Sequence, residues 1–224
     1  MSDLHERQVK VYPRFERFWH WSQMALIFVL LFTGLGLNGL HGLIPFGPAA
    51  MIHTLAALVL ILLWVFAIFW HLTTGTWVHY LPTTEGLFKV ARFYAYGIFK
   101  GEHHPYRKAY WRKHNPLQAL TYLALKLILF PAIWVTGLVY LTYNSWEGVP
   151  DASLWLQIVA NLHTLVAYAI AAFVVAHVYL LTVGHSFREH VRPMITGFDT
   201  VALTPAEEAY LEQDEPARLK PEKS

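Results

Sequence analysis

The chain has 224 residues, of which 55% are hydrophobic and 14% are charged, and its formal net charge is +2. A soluble domain has about 25% charged residues, whereas this chain has no Asp, Glu, Lys or Arg between Phe18 and Thr84. These values argue against a disordered or nucleic-acid-binding chain and favour a polytopic membrane protein.

Four apolar segments are long enough to cross a bilayer, which takes about 20 helical residues. They cover about residues 18–40, 49–71, 117–143 and 154–184. A helix is the expected form because every backbone N–H and C=O group in lipid needs a partner within the protein. The sequence therefore predicts an all-α fold, an integral membrane four-helix bundle within residues 1–198.

Two segments outside the spans have a predicted form of their own. The long connection between the second and third spans contains a pattern typical of an amphipathic helix near Leu87–Phe99, which we expect at the membrane interface. Residues 199–224 are polar and rich in acidic side chains. We predict that they form a mobile cytoplasmic tail.

The distribution of basic residues predicts the orientation of the helices. Lys and Arg occur before the first span, between the second and third, and after the fourth, but are absent from the short loops 41–48 and 144–153. By the positive-inside rule, the basic segments lie in the cytoplasm. Both termini and the long middle connection are therefore predicted to be cytoplasmic.

Four histidines lie within the predicted spans, where an ionisable side chain is a functional candidate because its burial in lipid is unfavourable. They are His20, His53, His163 and His177. The last two are 14 residues apart, so they share one helix face and lie about 21 Å apart along its axis. The directions of the helices put His20 at the depth of His177, and His53 at the depth of His163.

Two histidines that face each other across a helical bundle are typical ligands of a six-coordinate b-type haem. A tetrahedral zinc site would need further ligands at the same depth, and the chain contains no cysteine. A lone histidine in a span is commonly a hydrogen-bonding residue, but four in two depth-matched pairs fit that interpretation poorly. We predict two haem b groups, bound by His20 with His177 near the inner surface and by His53 with His163 near the outer surface.

His71 is an alternative ligand for the inner haem. It lies five turns after His53 on the same helix face, so helices two and four alone would hold both haems. The 18-residue spacing, however, differs from the 14-residue spacing of helix four by about 6 Å along the axis, and we therefore favour His20. Arg17, one turn before His20, is placed to pair with a haem propionate.

Several short motifs, in their order and spacing, resemble the bacterial cytochrome b561 superfamily, in particular the membrane cytochrome b subunits of respiratory hydrogenases, formate dehydrogenases and thiosulfate reductases. The resemblance covers about Val11 to Phe198. Its elements are Arg17-Phe18-Trp19-His20-Trp21, His53, Asn115-Pro116-Leu117-Gln118, Thr136-Gly137, His163, His177 and Met194-Ile195-Thr196-Gly197.

The resemblance implies the same two histidine pairs and a quinone pocket beside the inner haem. It puts Asn115 at the position whose amide contacts the quinone, and His114, Gln118 and His185 are expected near the same surface. Alternatively, Asn115 only caps the third helix. Lys126 departs from the family pattern within that helix, and we expect it to extend to the inner surface rather than meet a haem propionate.

The resemblance implies an electron-transfer subunit of a quinone-linked oxidoreductase complex in the bacterial inner membrane. It would connect quinone with a periplasmic redox subunit, either an iron–sulfur protein or a multihaem cytochrome c. One alternative is a self-sufficient oxidoreductase of the superoxide oxidase type, although the charged residues of the outer loops are Glu147 and Asp151, which would repel that anion. Another is a proton-coupled transporter without redox function.

Overall fold

The computed structural model describes residues 4–103, 105–107, 109–182 and 186–221. Its α-helices are α1 Arg14–Leu37, α2 Phe46–Thr74, α3 Leu87–Ala95, α4 Pro116–Ala124, α5 Phe130–Leu141, α6 Ala152–Leu180, α7 Phe187–Thr196 and α8 Pro205–Asp214. Two strands, β1 His5–Lys10 and β2 Phe198–Leu203, pair in antiparallel orientation. A π-helical turn, Leu125–Leu129, joins α4 to α5, so that Pro116–Leu141 is one continuous helix.

The predicted all-α membrane fold is confirmed. Four helices, α1, α2, α4–α5 and α6, are long and apolar enough to cross a membrane. Their bounds differ from the predicted spans by at most four residues, since α1 begins at Arg14 rather than 18 and α6 ends at Leu180 rather than 184. Position 184 and His185 lie outside the described residues.

The second span shows why these helices suit a lipid environment. Leu60 and Trp64 of α2 are buried, whereas Leu55 and Leu62 on its other faces are more than half exposed. A helix that is apolar on all sides is typical of a membrane span, because a soluble helix would present polar residues outward. Lipid chains would cover the exposed apolar faces.

The chain divides into two compact units. The first, here called the bundle unit, comprises residues 23–65 and 121–180, and the second, the terminal unit, comprises residues 1–22, 66–120 and 181–224. In the bundle unit, the Trp64 ring packs against Phe130 and Trp134, with ring centroids 4.4 and 5.4 Å apart. These aromatic contacts join α2 to α5.

Lys126 lies in the π-helical turn of the bundle unit and is half-buried. A π-helical turn is uncommon and is often found where a helix adapts to a functional requirement or to a neighbouring proline. Pro131 follows directly, near the start of α5. The roles predicted for Lys126 remain predictions.

The long middle connection lies in the terminal unit and contains the predicted amphipathic helix. α3 covers Leu87–Ala95, and a short 3-10 helix, Gly97–Lys100, extends it. Val90 and Phe93 are buried on one side, whereas Phe88 is 85% exposed. An exposed aromatic side chain beside a buried apolar face fits a helix at a membrane surface.

The segment after residue 198 is folded, which corrects the prediction of a mobile tail. β2 pairs with β1 from His5 opposite Leu203 to Lys10 opposite Phe198. The sheet and α8 enclose a small apolar core. Its buried members are Val9, Val11, Val201, Leu203 and Leu211. Val9 alternates with Val11 just after β1, and Val201 alternates with Leu203 in β2. Each strand therefore turns one face toward this core.

Helix α8 has a well-defined start. The Thr204 side chain accepts a hydrogen bond from the Glu207 backbone N–H, and the Glu207 carboxylate accepts one from the Thr204 N–H, which is a capping box. Arg107 donates to the same carboxylate at 2.8 Å and to the Ala202 carbonyl at 3.0 Å. The middle connection is thereby attached to the sheet.

We predict that Leu211→Ala destabilises this small core, because Leu211 is fully buried and truncation of a buried leucine costs about 2–5 kcal/mol. Hydrogen exchange followed by mass spectrometry should show faster exchange in β1 and β2, while exchange in the four spans stays unchanged. Gln213→Ala, an exposed position on the same helix, is the control. Equal exchange in the two variants would contradict this account of the core.

Candidate functional site

His53 and His163 come together in the bundle unit. His53 lies on α2 and His163 on α6, and their ring centroids are 6.3 Å apart with the planes inclined by 68°. A metal ion bound to one nitrogen of each imidazole at about 2.0 Å would hold the ring centroids roughly 6 Å apart. This separation fits axial ligation of one iron by both rings.

Each of these histidines also contacts a threonine on the preceding helix. The Nδ1 atom of His53 lies 2.9 Å from Thr33 Oγ1 on α1, and that of His163 lies 3.0 Å from Thr136 Oγ1 on α5. Both threonines are buried. These contacts leave the Nε2 atom of each ring as the one that would bind a metal.

A glycine follows each threonine and gives the ring its space. A Cβ atom at Gly34 would lie 3.2 Å from Cε1 of His53, and one at Gly137 would lie 3.2 Å from Cε1 of His163. Both distances are shorter than an ordinary van der Waals contact, so a larger residue at either position would have to displace the histidine ring by a few tenths of an ångström.

Among the described residues, the site supplies two ligands. Within the described ranges, no three His, Asp or Glu side chains converge to hold a metal ion. A metal at His53 and His163 would therefore take its other ligands from a prosthetic group, which a haem provides through its four pyrrole nitrogens. The chemistry of the donor pair fits a b-type haem.

His20 lies in the terminal unit and His177 lies in the bundle unit. The His20 ring contacts Trp21 edge-on, with centroids 5.3 Å apart, and the Trp21 indole N–H donates to the Met194 carbonyl at 2.9 Å. The His177 ring stacks on Phe173, at 5.8 Å and an angle of 20°. Their pairing around a second haem remains a prediction.

Arg17 makes a contact that the sequence analysis did not anticipate. Its guanidinium donates a hydrogen bond to the Ile195 carbonyl near the end of α7, where the helix dipole is negative. Gly197 follows, at a positive φ of 90°, and a Cβ atom there would lie 3.4 Å from the Arg17 Nε. A guanidinium has five N–H groups, so the bond to Ile195 leaves others that could pair with a haem propionate. That contact remains a prediction.

His71, the alternative ligand, is held by the protein through both ring nitrogens. Its Nδ1 lies 2.6 Å from the Ala67 carbonyl oxygen and its Nε2 lies 3.4 Å from the Tyr80 hydroxyl. The ring is buried and contacts Trp19 edge-on at 5.3 Å. Nδ1 must donate to the carbonyl, which a metal-bound histidine can also do. The contact that distinguishes His71 is that of Nε2, the nitrogen left for a metal, with the Tyr80 hydroxyl.

Asn115 caps α4. Its side-chain oxygen accepts a hydrogen bond from the Gln118 N–H at 2.9 Å, and the Gln118 side-chain oxygen accepts one from the Asn115 N–H at 3.1 Å. The Asn115 amide donates to the Tyr94 hydroxyl of α3 at 3.3 Å. Burial raises the pKa of Tyr94. The capping role is thus observed, and contact of Asn115 with a quinone remains a prediction.

A buried ion pair lies next to this cap in the sequence. Lys113 Nζ donates to the two carboxylate oxygens of Glu16 at 2.7 and 2.6 Å, and the two side chains are only 7% and 6% exposed. Burial lowers the pKa of Lys113, while the Glu16 carboxylate opposes that shift. Removal of either partner would leave a buried charge, which typically costs 3–5 kcal/mol.

His79 and His114 lie close to the same ion pair. His114 Nδ1 is 3.3 Å from the His79 carbonyl oxygen, and the His114 ring lies 5.0 Å from that of Tyr80. Burial, followed by the positive charges of Lys113 and Arg218, lowers the pKa of His79 to about 4. The folded protein therefore holds His79 neutral under physiological conditions.

This lowered pKa predicts a loss of stability in mild acid. An unfolded histidine binds a proton near pH 6.5, so the contribution of His79 is complete above pH 6.5 and is lost as the pH falls toward 4. Thermal unfolding in detergent, followed by circular dichroism between pH 7.5 and 5, should show a falling midpoint. The decline should be smaller in His79→Gln, and parallel curves for the two proteins would refute the assignment.

Comparisons with known proteins bear on these residues. A family model described as prokaryotic cytochrome b561 matches residues 11–197, a range that contains every predicted site residue from Arg17 to His177. The chain is also similar to a protein of Escherichia coli (strain K12) named "Putative cytochrome YdhU", with 29% identity over 201 residues that cover 87% of this chain and 76% of that protein. No solved structure matches the chain.

Proposed function

Because the chain belongs to the prokaryotic cytochrome b561 family, we propose that it carries electrons between a periplasmic redox partner and the quinone pool through two haem b groups. Family membership and the four apolar helices identify a multi-pass membrane protein that performs transmembrane electron transfer with b-type haem. When bound, the haem supplies a one-electron iron couple. The number of haems, the quinone, the partner and the bacterial inner membrane as location belong to our proposal.

The contact between His53 and His163 is the observation that carries this proposal. Two imidazoles 6.3 Å apart, on separate helices and without a third side-chain ligand among the described residues, would be able to hold one haem iron between them. The proton-relay alternative is less favoured, because each ring already has a threonine partner on its Nδ1 side. A relay histidine would need both nitrogens in a path that reaches water.

For the second haem, we propose His20 and His177 as the ligands. The surroundings of His71 support the choice of His20, since both nitrogens of His71 are directed to Ala67 and Tyr80. His177 has an aromatic neighbour, Phe173, stacked at 5.8 Å, and such packing would restrict rotation of a ligating ring. Arg17 is proposed as a partner for a propionate of this haem.

We propose that quinone reacts at the predicted cytoplasmic end, near the start of α4. Asn115 uses one amide hydrogen for Tyr94, and its second hydrogen could be donated to a quinone carbonyl. Asn115 is 6% exposed, so a quinone could reach its amide only after neighbouring side chains move apart. Gln118 and His114 are its polar neighbours in the sequence.

The opposite end offers an apolar surface for the redox partner. A cavity of about 300 Å³ opens between the end of α5 and the start of α6, lined by Trp146, Trp155 and four smaller side chains. Aromatic side chains are enriched where proteins dock. We propose that an iron–sulfur or multihaem cytochrome c subunit binds at this end, where the loop between α5 and α6 contains Glu147 and Asp151.

Haem analysis tests the proposal directly. We expect close to two non-covalent haems per chain by pyridine haemochrome, both low-spin and extractable with acid acetone. His53→Ala and His163→Ala should each remove one and the same haem, and His20→Ala and His177→Ala should each remove the other. His71→Phe, which keeps an aromatic ring in the pocket, is the control and should retain both.

The absence of haem from the wild-type protein would contradict the proposed function as a whole. Loss of the second haem in His71→Phe together with its retention in His20→Ala would instead assign that ligand to His71. A superoxide-oxidising enzyme of the same fold would show the same haem content, but it would reduce quinone with superoxide in the absence of a partner protein.

Asn115 variants separate capping from quinone binding. Asn115→Leu, which removes cap and amide together, should slow electron exchange between haem and quinol at least severalfold with little change in either haem spectrum. Asn115→Ser should keep the cap, because serine caps a helix nearly as well as asparagine, but should still react slowly. Tyr94→Phe reports the loss of the Tyr94 hydrogen bond alone. Normal quinol kinetics in Asn115→Ser would show that Asn115 acts only as a cap.

A further inference from the structure

A Thr–Gly pair stands against a histidine twice in this chain. In α1 and α2 the pair is Thr33-Gly34 against His53, and in α5 and α6 it is Thr136-Gly137 against His163. The two arrangements agree closely, with Thr–His distances of 2.9 and 3.0 Å and the same 3.2 Å clearance at the glycine. Such agreement between separate helix pairs indicates that both histidines require the same neighbours.

The hydroxyl protons of both threonines are already used. Thr33 Oγ1 donates to the Val29 carbonyl at 2.7 Å, and Thr136 Oγ1 donates to the Ala132 carbonyl, also at 2.7 Å. A hydroxyl has one proton, so each oxygen can only accept from the histidine. The Nδ1 atoms of both rings must therefore carry the proton, and the lone pair resides on Nε2.

We propose that Thr33 and Thr136 are positioning residues that fix His53 and His163 in the Nδ1–H tautomer and orient both rings toward one iron. This inference rests on the proposed function, since it assumes that the pair binds haem. It assigns to the threonines the role that outer-shell acceptors have at other metal-bound histidines, where they set the tautomer and raise the basicity of the ligand. The glycines allow the threonine-bearing helices to come close enough.

The effect on the haem has a definite direction. A histidine whose Nδ1–H is hydrogen-bonded is a stronger electron donor, which favours the ferric iron and lowers the midpoint potential. Replacement of either threonine by valine keeps the shape but removes the acceptor. We therefore expect the valine variants to keep their haem and to raise its potential.

The experiment measures both haems in the purified full-length protein. Spectroelectrochemical titration of Thr33→Val and Thr136→Val should show a higher midpoint potential for one haem, the same in both variants, and an unchanged potential for the other. Low-temperature EPR should show an altered g-max for that haem only, because the rings lose one constraint on their orientation. Transfer of that haem to apomyoglobin should be about tenfold faster.

Two further variants make the result specific. Thr136→Ser keeps the hydroxyl and should retain the wild-type potential and EPR signal. Thr73→Val removes an exposed threonine whose hydroxyl also donates to the backbone carbonyl four residues earlier, that of Phe69, at 2.8 Å. The structure shows no hydrogen bond between this hydroxyl and a described histidine. The Thr73→Val variant should leave both haems unchanged.

The outcomes separate this inference from the proposed function. A wild-type protein without haem would contradict the proposed function. Two haems with wild-type potentials and EPR signals in both valine variants would overturn the inference alone. A potential shift in Thr136→Ser as large as that in Thr136→Val would also overturn it, because the effect would then come from packing rather than from the hydroxyl.

Discussion

An imidazole ring in the apolar interior of a membrane protein needs partners for both of its nitrogens, because no water is there to supply them. His53 and His163 each have one threonine at Nδ1, and we propose that the second nitrogen of each ring binds a haem iron. His71 has a backbone carbonyl at one nitrogen and a tyrosine hydroxyl at the other. In this proposal the neighbours of a histidine decide whether its second nitrogen can bind a metal.

The predictable part of this protein follows from constraints that act along a single helix. Span length, helix direction and the spacing of His163 and His177 can be read without tertiary contacts, and the spans were placed within four residues. The threonine contacts were not predicted, although Thr33-Gly34 repeats the dipeptide Thr136-Gly137 that the resemblance had marked. A threonine hydroxyl can bond to a carbonyl of its own helix at any helical position. The sequence alone therefore does not show which threonine also accepts a hydrogen bond from a histidine.

The segments outside the four spans were harder to predict because their structure depends on pairing between distant parts of the chain. β1 has one apolar residue, Val9, among polar and charged ones, and both strands are only six residues long. Neither resembles a strand until Val9 and Val201 meet in one core. For the same reason Asn115 was ambiguous. The same asparagine side chain can cap a helix or bind a ligand through its amide. Only the observed hydrogen bonds of Asn115 with Gln118 and Tyr94 show that it is a cap.

The pairing of β1 with β2 has a consequence for biosynthesis. All four spans lie between the two strands in the chain, so a nascent protein emerging from the ribosome makes β1 first and cannot pair it until helix α6 has entered the membrane. Val9 and Val11 therefore have no partner strand while the four spans are being synthesised. Their core closes only when β2 and then Leu211 of α8 have followed, so the first residues of the chain are among the last to reach their final surroundings.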